Sequence, residues 1–174
     1  MFPDTLWTED LILRPIALGD TGAIFDEYAQ DPEVTRYLTW APHTSVRETE
    51  EFITGCIASE TSRTFTLLGR RDRQLRGALT IRRDVPGRIG FGYVLSRRSW
   101  NQGLMTEALT EVVAWAMKQR DVWRIGATCD VDNVASARVM EKAGLDREGL
   151  LKRWMVHPNI EDTPRDCWMF AKAR

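Results

Sequence analysis

Three cysteines in 174 residues are too few, too scattered and too odd in number to make a disulfide framework. Cys56, Cys129 and Cys167 show neither a metal-ligand spacing nor a Cys-x-x-Cys pair, so buried, reduced thiols and no metal are expected. Histidine is scarcer still, limited to His43 and His157. An excess of one charge is missing: 24 Lys and Arg stand against 25 Asp and Glu, a net charge of −1, which leaves no global field to hold nucleic acid or an anionic membrane. The longest obvious apolar run, Val112 to Met117, is far shorter than the roughly 20 residues of a membrane span. The start, Met1-Phe2-Pro3-Asp4, lacks the basic-then-apolar order of a signal peptide, and a cytoplasmic location is expected. No repeat, low-complexity stretch or linker interrupts the chain, which predicts one domain over residues 1–174.

What is present is an ordinary globular composition, 43% hydrophobic and 28% charged with 12 Gly and 7 Pro. At this length roughly 70% of the unfolded surface can be buried on folding. Leu11 to Arg14 reads as a strand stopped by Pro15, and Asp20 as the cap of a helix carrying Ile24, Phe25 and Tyr28. Asp31-Pro32 breaks or restarts that helix. Ser45 and Glu48 have capping-box spacing before Phe52, Ile53, Cys56 and Ile57, which predicts a helix to about Ser62.

Three strands follow, Thr64 to Leu68, Leu75 to Arg82 and Ile89 to Leu95, with turns at 69–73 and at Asp84-Val85-Pro86-Gly87. The third alternates Ile89, Phe91, Tyr93 and Leu95 against Gly90, Gly92 and Val94, and glycines on one strand face predict a close approach. After Gly103 a helical stripe of Met105, Leu109, Val112 and Ala116 runs to about Arg120. A strand Val122 to Cys129, a helix Asn133 to Ala143 ended by Gly144, and strands near Leu150 to Val156 and Asp166 to Lys172 complete the chain. The order is α+β (mixed α/β), with helices packed on a largely antiparallel sheet.

Ser96 to Glu107 joins the glycine-bearing strand to the long helix. Free N–H groups at a helix start, Gly103, and the charges of Arg97 and Arg98 suit a pyrophosphate, though a solvated loop turning into an amphipathic helix fits the same residues. It is not a nucleotide P-loop, since no Gly-Lys-Ser/Thr follows. Arg82, Arg83, Arg88, Arg97 and Arg98 form a basic group opposed only by Asp84, readable as attraction for a polyanion or as a solvated strand edge.

The chain resembles the GCN5-related N-acetyltransferases (GNAT), and among them the RimJ/RimL-like branch. The resemblance rests on Thr8 to Pro15, on Asp31 to Leu38 with Trp40 and Pro42, on Trp100-Asn101-Gln102-Gly103-Leu104-Met105-Thr106-Glu107-Ala108, and on Asn133 to Leu145. It implies a GNAT-like acyl-CoA N-acyltransferase fold of about seven strands, the fourth and fifth parallel and splaying apart to admit a thioester arm. It implies acetyl-CoA as co-substrate, held by Tyr93, Val94, Leu95, Arg97, Arg98, Asn101, Gln102, Gly103, Leu104, Met105, Thr106, Asn133 and Ser136. Backbone amides of the Trp100 block would hold the pyrophosphate, with Trp100 and Met105 departing from the family pattern and Met105 expected to alter the pocket. An N–H near Tyr93 to Leu95 would serve the oxyanion.

Ser136 is implied as proton donor to the leaving thiolate, and Asn133 as a coenzyme ligand. Asn133 also reads as a plain N-cap, and Ser136 as a small first-turn residue. A tyrosine further along the helix is absent, since Val139 and Met140 stand there. Trp40, His43 and His157 are expected to line the acceptor channel, both histidines in loops, while Glu107, Asp130 and Asp132 read better as structural groups.

The expected activity is acetyl transfer by direct attack of a primary amine, that of a protein or peptide N-terminus first. A small amine (polyamine, amino acid derivative or antibiotic) and a non-catalytic acyl-CoA-binding module are the alternatives. The expected partners are acetyl-CoA and the amine acceptor, with no nucleic acid and no membrane, in a monomer or homodimer.

Overall fold

In the computed structural model, which describes residues 2–83 and 85–174, the short runs of the sequence assemble into one sheet. Among the described residues it has eight strands in the order β1-β2-β3-β4-β5-β6-β8-β7. They are β1 (Leu6–Trp7), β2 (Leu11–Pro15), β3 (Ser62–Gly69), β4 (Leu75–Arg82), β5 (Arg88–Leu95), β6 (Arg124–Asp130), β7 (Asp146–His157) and β8 (Glu161–Ala173). Five helices accompany them: α1 (Thr21–Ile24), α2 (Pro32–Thr35), α3 (Val46–Ala58), α4 (Leu104–Lys118) and α5 (Val134–Lys142). This is the expected α+β fold with one strand more than the seven foreseen, because β1 is only two residues long and carries no periodic signal. Asp84 and Met1 lie outside the described residues.

All neighbouring strands are antiparallel except β5 and β6, which pair in parallel only at Arg88–Arg124, Ile89–Ile125 and Gly90–Gly126. Beyond that rung β5 runs on to Leu95 and β6 to Asp130 without pairing with each other, while each keeps its outer neighbour. The expected splay is therefore present. Gly126 sits on the last shared rung, where a Cβ would lie 2.6 Å from the Phe170 carbonyl oxygen, so the sheet is closed tightly just before it opens.

The sheet has two apolar faces. Leu13, Phe65, Leu79, Ile89, Phe91, Ile125 and Phe170 pack with α4 and α5 in one cluster. Ile24, Tyr28, Val34, Ile53 and Ala78 form the other with α1–α3, and Val94, Trp40 and Phe52 lie against it. Burial of such side chains contributes about 1.5–3 kcal/mol each and fixes strand register, since a one-residue slip would turn each strand inside out.

Several local expectations change. Asp20 does not cap α1 with its side chain; it is buried and accepts from Arg14 Nη1 at 2.9 Å, from Thr66 Oγ1 at 2.8 Å and from the Ala17 N–H at 3.0 Å, the last closing the 3₁₀ turn Leu18–Asp20 that precedes α1. Helix α1 continues through a π-helical turn, Phe25–Ala29, before Asp31 caps α2. Helix α3 ends at Ala58, not Ser62, and its box is half formed: Ser45 accepts from the Glu48 N–H, but the Glu48 carboxylate takes the Thr44 N–H and hydroxyl. The close approach to Gly90 and Gly92 is the Arg82 guanidinium, 3.7–3.8 Å from where Cβ atoms would be. β7 and β8 are far longer than expected and form a continuous hairpin.

Candidate active site

Past Gly90 the β6-facing edge of β5 has lost its strand partner, which leaves backbone polar groups between Phe91 and Leu95 facing a cleft. The chain leaves β5 into a single 3₁₀ turn, Arg97–Ser99, and then a tight loop into α4. The first bond within α4 runs from the Glu107 N–H to the Gly103 carbonyl at 3.0 Å, so the N–H groups of Leu104, Met105 and Thr106 have no acceptor inside the helix. Gly103 is the N-cap in left-handed conformation (φ +78°), with open space where a side chain would project. Asn101 is left-handed too, at φ +59°. The result is a run of N–H groups without helical acceptors at the positive end of a fifteen-residue helix, a fit for a pyrophosphate.

The side chains of this segment mostly do other work. Leu104 and Met105 are buried, and both side chains pack into the core beneath the loop. Trp100 donates its indole N–H to the Leu95 carbonyl at 3.0 Å, and Gln102 its amide to the Arg98 carbonyl at 2.7 Å. Thr106 lies half-buried in the first turn, and Glu107 accepts the Asp10 N–H at 2.9 Å, the structural role expected of it.

The five arginines do not form one patch. Arg82, Arg83 and Arg88 lie at one end of β5 and Arg97 and Arg98 beyond the other, about 25 Å of extended strand apart. Arg97 pairs with Asp31 at 2.5 Å and Arg98 with Glu27 at 2.6 Å, each about half exposed, so both fasten the loop to the α1–α2 segment. Arg83 pairs with Asp121 at 3.0 Å.

On the other side of the cleft, Asn133 caps α5 by accepting the Ser136 N–H at 3.1 Å, and this presents Ser136 in the first turn. The Ser136 hydroxyl lies 2.8 Å from the Tyr93 hydroxyl, which also donates to the Ser136 carbonyl at 3.2 Å. Burial pushes the Tyr93 phenol up, only partly offset by Ser136, so it stays protonated. Cys129, next to this pair, is pushed up to about 12 by burial and stays a thiol. Tyr93, expected among the coenzyme-binding residues, also brings a phenol hydroxyl to Ser136 from across the cleft, while α5 carries Val139 and Met140 further along.

The residues expected to line the acceptor channel lie in the α2–α3 segment and at the β7–β8 turn. Asn159 donates to the Thr35 carbonyl at 2.7 Å and the Trp40 carbonyl at 2.8 Å, a tie between distant segments that no motif announced. The Trp40 ring lies 4.9 Å from that of His43, tilted by 38°, and both lie against Phe52. His43 Nδ1 is 2.7 Å from Thr49 Oγ1; burial lowers its pKa more than Glu48 raises it. His157 is not in a loop: it ends β7 and is buried beside Asp130 and Tyr37. Asp130 and Asp132 do not cap α5; both bind Arg165, at 2.6 Å each, and Glu161 binds it at 2.7 Å. Burial works to raise Asp130, but Arg165 outweighs it and holds the carboxyl below the usual range.

The chain matches the acetyltransferase (GNAT) domain model over residues 10–146. It is 32% identical to the uncharacterized N-acetyltransferase YoaA of Bacillus subtilis, over 98% of this chain and 97% of that one. In fold it is similar to the ribosomal-protein α-N-acetyltransferase RimL in complex with coenzyme A, with TM-score 0.84, 22% identity and 95% of each chain covered. It is also similar to the microcin self-immunity acetyltransferase MccE in complex with acetyl-CoA and AMP, with TM-score 0.87, 16% identity, and 99% of this chain and 98% of that one covered.

Proposed function

The chain belongs to the GNAT family of acetyltransferases, and on that footing we propose that it acetylates the N-terminal amine of a protein or peptide from acetyl-CoA in the cytoplasm, as a RimJ/RimL-like enzyme acting through one domain. The observation that carries the reading is the junction of three features at one splay: the N–H cradle before α4, the open edge of β5, and the Tyr93–Ser136 hydroxyl pair.

Bound acetyl-CoA supplies an activated acetyl thioester. The N–H groups of Leu104, Met105 and Thr106, with Asn101, Gln102 and Gly103, hold its pyrophosphate against the α4 dipole. The β5 edge at Tyr93–Leu95 donates an N–H toward the carbonyl oxygen, where charge develops. Ser136, polarised by the Tyr93 phenol, donates a proton to the departing sulfur, and Asn133 fixes the turn that presents it. Arg97 and Arg98 hold the loop in place through Asp31 and Glu27, and remain half exposed toward the anionic coenzyme.

Trp40, His43 and His157 form the acceptor side. An α-amino group has a pKa of about 8 against about 10.4 for a lysine, so a chain end needs less help to become nucleophilic. RimL, which acts on a protein α-amine, supports this acceptor. MccE, with AMP bound, supports the second reading, a small-molecule amine. Thiol release from acetyl-CoA with peptides and small amines offered side by side tests one against the other.

A further inference from the structure

One buried side chain on the acceptor side has so far no chemical task beyond lining it. His157 is 3% exposed, and neither ring nitrogen has a hydrogen-bond partner. Buried polar groups are nearly always paired, so an imidazole orphaned at both nitrogens calls for a ligand or a role. Its nearest charge is Asp130, with Nε2 3.7 Å from Oδ2, too long for a hydrogen bond but within ion-pair reach of a protonated ring. Asp130 is immobilised behind it: Arg165 Nε donates to Oδ2 at 2.6 Å, Arg165 Nη2 to Oδ1 at 3.2 Å, and the Asp132 N–H to Oδ1 at 2.9 Å. The remaining groups around it are the Tyr37 ring from the α2–α3 segment, edge-on at 6.3 Å, and Glu161 across the hairpin, whose carboxylate is committed to Arg165.

The sheet register says where this imidazole stands. Gly90 is paired with Gly126, so carrying the register into the splay puts Tyr93 level with Cys129 and Val94 level with Asp130. Tyr93 and Cys129 belong to the α4–α5 face, with Ser136. Val94 packs on the opposite face with Trp40 and Phe52. Asp130, one residue from Cys129 on a strand, points to the Val94 side. The two hydroxyls and the Asp130–His157 pair therefore occupy opposite faces of adjacent rungs.

We propose that His157, backed by Asp130, is the proton acceptor for the attacking amine, an inference that rests on the acetyl-transfer reading. The amine nitrogen forms the N–C bond to the acetyl carbon as the C–S bond breaks. The proton it sheds goes to His157 Nδ1, the nitrogen turned from Asp130, and the resulting imidazolium is paired with the carboxylate. The sulfur takes its proton from Ser136 on the other face, and solvent restores both groups. The acceptor amine reaches the ring by turning the Tyr37 side chain aside, while Asn159 keeps the Thr35 and Trp40 carbonyls in place beside it.

The test uses the full chain carrying His157→Gln, with acetyl-CoA and two kinds of acceptor. With tripeptides and spermidine, kcat/KM for thiol release falls by about 10²–10⁴-fold. With hydroxylamine, a weak base already neutral near neutral pH, the loss is far smaller, and coenzyme A affinity is unchanged. Equal losses for both kinds of acceptor would assign His157 a structural role and overturn the proposal. A second measurement uses wild-type protein saturated with coenzyme A: the His157 ring-nitrogen resonances are followed as the same tripeptides and spermidine are added. Shifted resonances without turnover would defeat the acetyl-transfer reading while keeping the amine at His157. Resonances that stay put with every amine would overturn the proposal itself.

Discussion

The Tyr93 hydroxyl, on β5, lies 2.8 Å from the Ser136 hydroxyl in the first turn of α5, and this contact joins β5 to the helix that follows β6, beyond the last rung the two strands share. Two neutral hydroxyls in series form a proton path that a solvated loop serine would not have. Ser136→Ala is expected to lower kcat by about 10²-fold while coenzyme A affinity stays near wild type. Tyr93→Phe moves kcat in the same direction. Thiol-release kinetics paired with calorimetric binding check both, and an unchanged kcat in Ser136→Ala would remove it from the mechanism.

Gly103 holds φ at +78° with nothing within 4 Å of its missing Cβ, so the cost of a side chain there is conformational, not steric. Gly103→Val is expected to lose about 1–2 kcal/mol, divided between fold stability and the shape of the cradle. Both a lower Tm and weaker coenzyme A binding should be seen. If neither changes, the left-handed turn is dispensable to the cradle.

Asn159 ties the Trp40 segment to the β7–β8 turn directly, through two carbonyls. Asn159→Ala should raise the acceptor KM and leave coenzyme A affinity alone, because the cradle before α4 is not involved. Equal effects on both ligands would mean that the tie supports the whole splay and not the acceptor side alone.

A buried ion pair gives the fold its own pH dependence. Burial alone would raise the Asp20 carboxyl, but Arg14, the Ala17 N–H and the Thr66 hydroxyl outweigh it and hold it below the ordinary carboxylate value. A lowered folded pKa contributes stability that is fully present above the unfolded value of about 3.9 and is lost as pH falls from there through the folded value. Asp20→Asn should therefore destabilise the protein near neutral pH by about 3 kcal/mol, the low end for a buried pair because Arg14 is partly exposed. It should also flatten the loss of stability below about pH 4. Denaturant melts at several pH values check the slope.

Much of this architecture is legible in the residues. Asn133 before Ser136 and Gly103 before Leu104 are local chemistry, an N-cap and a left-handed turn, and both stand where their spacing puts them. The splay followed from family resemblance and is visible in the register that stops at Gly90. What escaped is long-range or aperiodic. The strand alternation put Tyr93 on the core face, but nothing local announces a partner 43 residues away. Asp20 has the composition of a cap and serves a buried pair, a choice made by tertiary burial. β7 and β8 were underestimated because their exposed charged residues and register shifts, with Arg153 at φ +48°, break the period-2 pattern. His157 read as a loop residue for the same reason.

The most direct test of the account is thiol release from acetyl-CoA by the purified full chain, with peptides of varied N-termini and small primary amines as acceptors and coenzyme A binding measured in the same samples. The account predicts binding, and acceptor-dependent thiol release that is faster with peptide N-termini than with polyamines. Binding without release from any acceptor would contradict it.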